Sequence, residues 1–165
     1  MAVPSGTPVA IDYRENSLSA SLNQLVGDNW AFGVRYKLTD ADYNQRFTRI
    51  PLSVNNAGAI DADVNTSALL HQVNLYASYT HRCGFFSEFN AIWSRQDNRE
   101  EASALAGDEF WELNVFAGYR FWRRHAEARI GLLNITDQDY KLNPLTLYSE
   151  LPRERTFYAS FKFYF

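Results

Sequence analysis

Residues 30–38 read Trp-Ala-Phe-Gly-Val-Arg-Tyr-Lys-Leu, with a large apolar side chain at every second position. A period of two places these side chains on one face of a β-strand, and Arg35 and Lys37 on the other. The same alternation recurs near positions 18–22, 69–79, 85–93, 111–121, 126–132 and 157–165. No segment longer than about ten residues has a helical period. The pattern predicts an all-β chain of seven strands, or eight if 1–16 or 41–54 contains another.

Short and long connections alternate along the chain. The tight turns fall at 27–29, 81–84 and 123–125, and the long segments are 40–67, 97–109 and 136–155. An antiparallel up-and-down meander gives this order when all tight turns lie at one end, and transmembrane barrels have short periplasmic turns and longer extracellular loops. We therefore expect 1–165 to form a single transmembrane β-barrel domain or barrel segment. The long segments are its expected extracellular loops, and 1–16 is an N-terminal extension or partial strand.

Composition narrows the class of protein further. The formal net charge of −3 offers no basic excess for phosphates, so we expect no nucleic-acid partner. Cys83 is the single cysteine, which excludes an internal disulfide. The chain has no apolar run near 18 residues, the length that a membrane-spanning helix needs. Aromatic residues nevertheless make up 16% of a chain whose mean hydropathy is −0.37.

The aromatic residues concentrate at two levels of the predicted strands. Near the tight turns lie Trp30, Tyr79, Phe85, Phe121 and Trp122, and toward the long loops lie Trp93 and Trp111. Amphipathic rings prefer the headgroup level of a bilayer, and about eight residues tilted by ~40° span roughly 20 Å. Two aromatic belts therefore indicate an outward face in contact with outer-membrane lipid and lipopolysaccharide. The alternative is that aromatic residues simply favour strands.

The opposite face is rich in charged and amide side chains. Its members are Arg35, Lys37, Glu88, Asn90, Glu112, Asn114, Arg120, Arg129 and Lys162. Burying these charges in a small soluble barrel costs several kcal/mol per unpaired ion, so we interpret them as a lumen-facing, hydrated wall. His71, His81 and His125 have no metal-ligand spacing. The sequence therefore predicts no enzyme, no catalytic or metal site and no cofactor.

Residues 156–165 end the chain on an aromatic strand in which Phe157, Phe161, Phe163 and Phe165 alternate with smaller or polar residues. This segment resembles the C-terminal targeting strand of bacterial outer-membrane β-barrels. An exposed aromatic edge strand must be captured before it aggregates. The resemblance implies location in the bacterial outer membrane and recognition of the four phenylalanines by the barrel-assembly machinery.

Residues 131–140, Gly-Leu-Leu-Asn-Ile-Thr-Asp-Gln-Asp-Tyr, resemble the Gly-x-x-Asn-Leu-Phe-Asp-x-x-Tyr segment near the end of TonB-dependent receptors. Ile135 and Thr136 replace the usual Leu-Phe, and Pro152-Arg153 precedes the final strand as in those receptors. The resemblance implies a part in solute uptake. It also implies a larger barrel, because such transporters have 22 strands and a plugged lumen.

Two functions remain open at this point. In the first, the chain is the C-terminal part of a TonB-dependent-receptor-like barrel, and further strands or other chains of an outer-membrane complex complete the wall. In the second, it is a complete small eight-stranded outer-membrane barrel with a structural, adhesive or narrow-pore role. A soluble lipocalin-like binder or a lipid-modifying enzyme is a third, weaker hypothesis.

Overall fold

The computed structural model describes residues 6, 8–47, 63–99, 107–122, 125–140 and 154–164. These residues form one sheet of seven antiparallel strands, each hydrogen-bonded to its neighbours in sequence. The strands are β1 (Val9–Val26), β2 (Trp30–Phe47), β3 (Val64–Thr80), β4 (Phe85–Asn98), β5 (Asp108–Phe121), β6 (Ala126–Leu133) and β7 (Thr156–Phe163). The all-β class and the up-and-down order predicted from the alternation are confirmed. In the described part of the chain, no helix is long and apolar enough to span a bilayer.

The sheet is open. Within the described ranges, β1 packs only against β2, β7 packs only against β6, and the two end strands do not meet. Every residue of β1 is exposed. The seven strands therefore do not close into a barrel by themselves, which is contrary to a complete barrel formed by this chain alone and leaves the expected barrel segment as a prediction. One physical reason is that β1 and β7 run in the same direction, so their pairing would be parallel.

Several strands are longer than the sequence analysis predicted. β1 and β2 have 18 residues each, and β3 has 17. Strand structure therefore covers 9–16 and most of the described part of 40–67, and it includes 97–98 and 108–109. Residues 48–62, 100–106 and 141–153, which make up most of the expected loops, lie outside the described residues.

The longer strands have a specific cause in the sequence. After Leu38 the apolar positions shift by one residue to Ala41 and Tyr43, while the hydrogen-bonded ladder continues unbroken to Phe47. A shift of one residue moves apolar side chains to the other face of a strand. The sequence analysis ended the alternation of this strand at Leu38, assigned 40–67 to a loop, and allowed for a further strand in 41–54.

The turns follow a line that is oblique to the strands. Trp30 is in register with Tyr79, Tyr79 with Ser87, and Ser87 with Ala117. β5, however, continues to Phe121 before its own turn begins. The strands are thus tilted relative to the edge of the sheet that carries the turns, as the strands of β-barrels are tilted relative to the barrel axis.

Candidate functional site

The two faces of the sheet differ in chemistry, and the cross-strand register shows which residues share a face. Register partners on antiparallel strands lie opposite each other on the same face. One such row runs through Leu22, Val34, Leu75, Ala91 and Leu113. We call the face that carries this row the apolar face, and the opposite one the polar face.

The half of the apolar face next to the tight turns forms a band without charged groups. This apolar band consists of alternate residues from Leu18 to Val26, Trp30 to Leu38, Leu69 to Tyr79, Phe85 to Trp93, Trp111 to Phe121, Ala126 to Leu132 and Phe157 to Phe163. It contains no Asp, Glu, Lys or Arg, and Gln24, His71 and Ser87 are its polar members. The distance from Trp30 to Leu38 along a strand tilted by ~40° is roughly 20 Å of height.

Beyond the apolar band, the same face becomes polar and charged. Leu38 on β2 is followed on this face by Asp40 and Asp42, and Trp93 on β4 by Arg95 and Asp97. The apolar side chains of this part of the sheet lie on the polar face instead, as in the Tyr13–Tyr43 register pair. The apolar surface therefore stops at one level across the sheet, on the side of the long connections.

Burial is reversed relative to a soluble sheet. On the apolar face Leu22 is 70% exposed and Phe161 is 52% exposed, whereas Glu127 and Asn114 on the polar face are buried. Val73, Leu113 and Phe161 all belong to the apolar face, and β4 and β6 lie between their strands. Phe161 is half exposed and Val73 and Leu113 are partly exposed, so the three side chains are not buried together in the described sheet.

The seven residues of the predicted aromatic belts lie at the ends of the apolar band. Trp30, Tyr79 and Phe85 form one contact series, with ring centroids 4.8 Å and 6.4 Å apart. Phe121 and Trp122 lie 5.3 Å apart beside the next tight turn, where they contact Phe161 and Phe163 of β7. Trp93 and Trp111 are register partners at the opposite end of the band. The indole nitrogen of Trp93 donates to Glu109, just beyond that end.

The nine residues that the sequence analysis assigned to the lumen share the polar face. They are Arg35, Lys37, Glu88, Asn90, Glu112, Asn114, Arg120, Arg129 and Lys162. Arg120 pairs with Glu127 at 2.9 Å, and Arg129 pairs with Glu88 on β4, across β5. The amide of Asn90 donates to Asn74, and that of Asn114 donates to Glu112. Contacts on this face thus join β3 to β4, β5 to β6 and β4 to β6, and Asn114 and Glu112 interact within β5.

Three glycines of the polar face lie directly opposite aromatic residues on adjacent strands. The register pairs are Gly33 with Tyr76, Gly118 with Phe86, and Gly131 with Phe116. At each glycine, the position of an added Cβ overlaps the ring of its aromatic partner. The ring therefore lies over the bare backbone, a close approach that only glycine permits.

Two of these rings are covered in turn by arginine. The guanidinium of Arg120 lies 4.5 Å from the centroid of Phe86, and that of Arg129 lies 4.1 Å from the centroid of Phe116. Each arginine also binds a carboxylate. We call these assemblies the glycine–ring–arginine stacks: Gly118, Phe86, Arg120 and Glu127 in the first, and Gly131, Phe116, Arg129 and Glu88 in the second. The sequence analysis missed Glu127 and both rings, although glycine inside an alternating strand is a recognisable signal of close approach.

The segment that resembles TonB-dependent receptors, 131–140, comprises the last three residues of β6 and the first part of the connection that follows. Asn134 is buried with a left-handed φ of 48°, a conformation that asparagine adopts more readily than most residues. Its side chain exchanges two 2.9 Å hydrogen bonds with the backbone of Gln138. Asp137 accepts a hydrogen bond from the backbone of Arg155 at the start of β7, and the Tyr140 ring stacks 4.2 Å from that of Phe110. These residues have structural roles in joining β6 to β7.

Two histidines of the described sheet lie next to potentially reactive side chains. The Tyr36 hydroxyl and His71 Nδ1 are 2.8 Å apart, and His81 Nδ1 lies 2.9 Å from Cys83 Sγ in an exposed turn. Among the described residues, no group of three or more His, Cys, Asp and Glu is positioned to hold a metal ion. The candidate functional site is the pair of opposite faces of the sheet. No protein-family model, no curated protein and no solved structure matches the chain.

Proposed function

We propose that this chain forms part of the wall of a bacterial outer-membrane β-barrel that resembles the C-terminal part of a TonB-dependent transporter. In this proposal the apolar band contacts lipid and the polar face lines a solute-uptake pathway. The observation that carries it is a broad, exposed apolar band backed by a charged and partly buried face. Apolar surface in water costs roughly 25 cal/mol per Å², and a bilayer removes that cost.

The height and the borders of the band support a membrane partner. Barrels in the outer membrane have an outward apolar band ≈ 25 Å tall with aromatic girdles at both interfaces, and the band of this sheet is roughly 20 Å high. Its Trp30 and Trp122 lie near one border, and its Trp93 and Trp111 near the other. The charged groups Asp40 and Asp97, which flank Leu69 at the border of the band, would then lie at the level of the polar headgroups.

A barrel larger than this chain agrees best with the polar face and the open edges. An eight-stranded barrel has an interior just wide enough to be filled by side chains. Here the polar face already carries two glycine–ring–arginine stacks, and Lys37 forms only a 3.8 Å pair with Glu15. We therefore favour a wider, hydrated lumen that further strands or other chains complete. The exposed Phe157, Phe161 and Phe163 of β7 would be read by the barrel-assembly machinery, and Phe165 lies outside the described residues.

Cysteine labelling of two adjacent residues tests the orientation of the sheet. In a Cys83→Ser background, we expect Arg35→Cys to react with a membrane-impermeant maleimide in outer membranes that are permeabilised but not solubilised. Val34→Cys should react at least about tenfold more slowly, because a thiol in apolar surroundings forms little thiolate. The two residues are adjacent on β2 and lie on opposite faces, so their depths in the membrane are nearly the same. Equal labelling of both positions in membranes would contradict the proposal.

The chain in isolation tests whether further strands are needed. We expect the purified 165-residue chain to give no heat-modifiable, compact monomer in detergent, because both edges of its sheet lack partners. The measurement is electrophoretic mobility with and without boiling, with a complete eight-stranded barrel as the control for detergent conditions. A compact monomer that resists protease would instead support the alternative of a small, complete outer-membrane barrel.

A further inference from the structure

We infer that both free edges of the sheet pair with strands that run from the tight-turn end toward the long-loop end. These strands come from a segment other than β1–β7, and copies of this chain do not close the barrel among themselves. The inference rests on the proposed function, because it requires all strands to cross one membrane. It follows from the direction of the two end strands and from the side chains that β1 presents.

The two end strands run in the same direction. β1 ends at Val26, which immediately precedes the first tight turn. β7 ends at Phe163, whose register partner Ala126 begins β6 directly after the third tight turn. Both strands therefore run toward the tight-turn end. An antiparallel neighbour of either one must run the opposite way.

Identical copies fail this requirement. If β7 of one copy joined β1 of the next, each junction would be a parallel pair, in which hydrogen bonding is slightly less stable per residue. Inverting alternate copies would restore antiparallel pairing, but it would also place their tight turns on the other side of the membrane. The added strands alternate in direction, and the first and the last of them both run from the tight-turn end toward the long-loop end. Such a series contains an odd number of strands. Added to seven, they give the even number of single-chain bacterial barrels.

The chemistry of the partner strand at β1 follows from the exposed side chains of β1. Near the tight turns, Leu18, Ala20 and Leu22 lie on the apolar face, and small serines alternate with them on the polar face. Farther from the tight turn, at the N-terminal end of β1, the residues Val9, Ile11 and Tyr13 lie on the polar face, so the phase of the alternation changes within β1. Opposed side chains contribute roughly 0.2–1 kcal/mol per pair. The partner is therefore an ascending amphipathic strand that changes phase at the same level.

Photo-crosslinking within the assembled membrane complex tests the direction of this partner. Leu25 and Ile11 lie near opposite ends of β1 and are 74% and 62% exposed, so each is replaced singly by p-benzoylphenylalanine. The crosslinked peptides are then sequenced. We expect both to map to one strand, with the residue joined at position 25 nearer the N-terminus of that strand than the residue joined at position 11. Phe89, on the central strand β4, is the control for a strand with both neighbours present, and it should give no strand partner from outside β3–β5.

Three outcomes would overturn the inference: crosslinks from position 25 to β7 of a second copy, the reverse order of the two joined residues, or no crosslinked strand at either position. Each of these outcomes counts only in membranes in which Arg35→Cys is labelled and Val34→Cys is not. Under that condition the proposed membrane location still holds, and only the inference about the partner strand fails. Loss of that labelling difference would contradict the proposed function itself, and the inference with it.

Discussion

Replacing Leu22 by Arg is expected to lower the folding equilibrium constant of the assembled protein in membranes by a factor of about 30 to 700. Leu22 lies midway along the part of the apolar band that β1 contributes, and its side chain is exposed. An arginine on the lipid face at the bilayer midplane costs ≈ 2–4 kcal/mol, and each 1.4 kcal/mol is a factor of ten. The measurement is the urea midpoint for extraction of the assembled chain from the membrane, compared with that of the unsubstituted protein.

The matched control is Ser21→Arg. Ser21 is adjacent on β1, is also exposed and belongs to the polar face, where it is in register with Arg35. Water in the lumen would hydrate the new guanidinium, and its repulsion from the opposed Arg35 adds at most about 1 kcal/mol, so we expect a clearly smaller loss than for Leu22→Arg. A sheet that lay in water would tolerate both substitutions equally. A soluble barrel with the apolar face inside would also reject Leu22→Arg, and the labelling of Val34→Cys and Arg35→Cys in membranes separates that case.

The strand number, order and faces of this protein could be predicted from its sequence because they depend on local signals. A period of two in 30–38 indicates both a strand and its two faces, and each tight turn pairs the strands that flank it. The register confirms the antiparallel order of the neighbours of 30–38. The grouping of Arg35, Lys37 and the other charged residues on one face follows from the same period.

The features that were missed depend on comparisons between strands. In the sequence, the phase change of the apolar alternation after Leu38 resembles the start of a loop. Only the continuing register with β1 and β3 shows that the strand goes on. Similarly, Gly131 appears as one small residue in an alternating strand, and only the register brings Phe116 over it. The lack of closure is a property of the whole sheet, because it depends on the relative direction of β1 and β7. No local pattern in either strand contains that information.

The second stack predicts a strong coupling between Gly131 and Phe116. Gly131→Ala is expected to destabilise the assembled protein by about 1–3 kcal/mol, since the added methyl group forces the Phe116 ring from its place. Phe116→Ala should also destabilise it, because Arg129 loses the ring beneath its guanidinium and Tyr158 loses an edge contact. Urea midpoints of extraction from the membrane, measured for both single variants and the double variant, complete the cycle.

In the double variant the methyl group at position 131 no longer meets the Phe116 ring, although it still lies 3.0 Å from the Val115 carbonyl oxygen, so most of its cost should disappear. We therefore expect the combined loss to be smaller than the sum of the single losses by about 0.5–3 kcal/mol, the range seen for residues in contact. Gly33→Ala combined with Phe116→Ala is the control cycle. Gly33 meets Tyr76 rather than Phe116, and β3 and β4 separate its strand from β5, so the two effects should add. Additive losses in the Gly131 cycle would mean that the ring and the glycine backbone do not constrain each other.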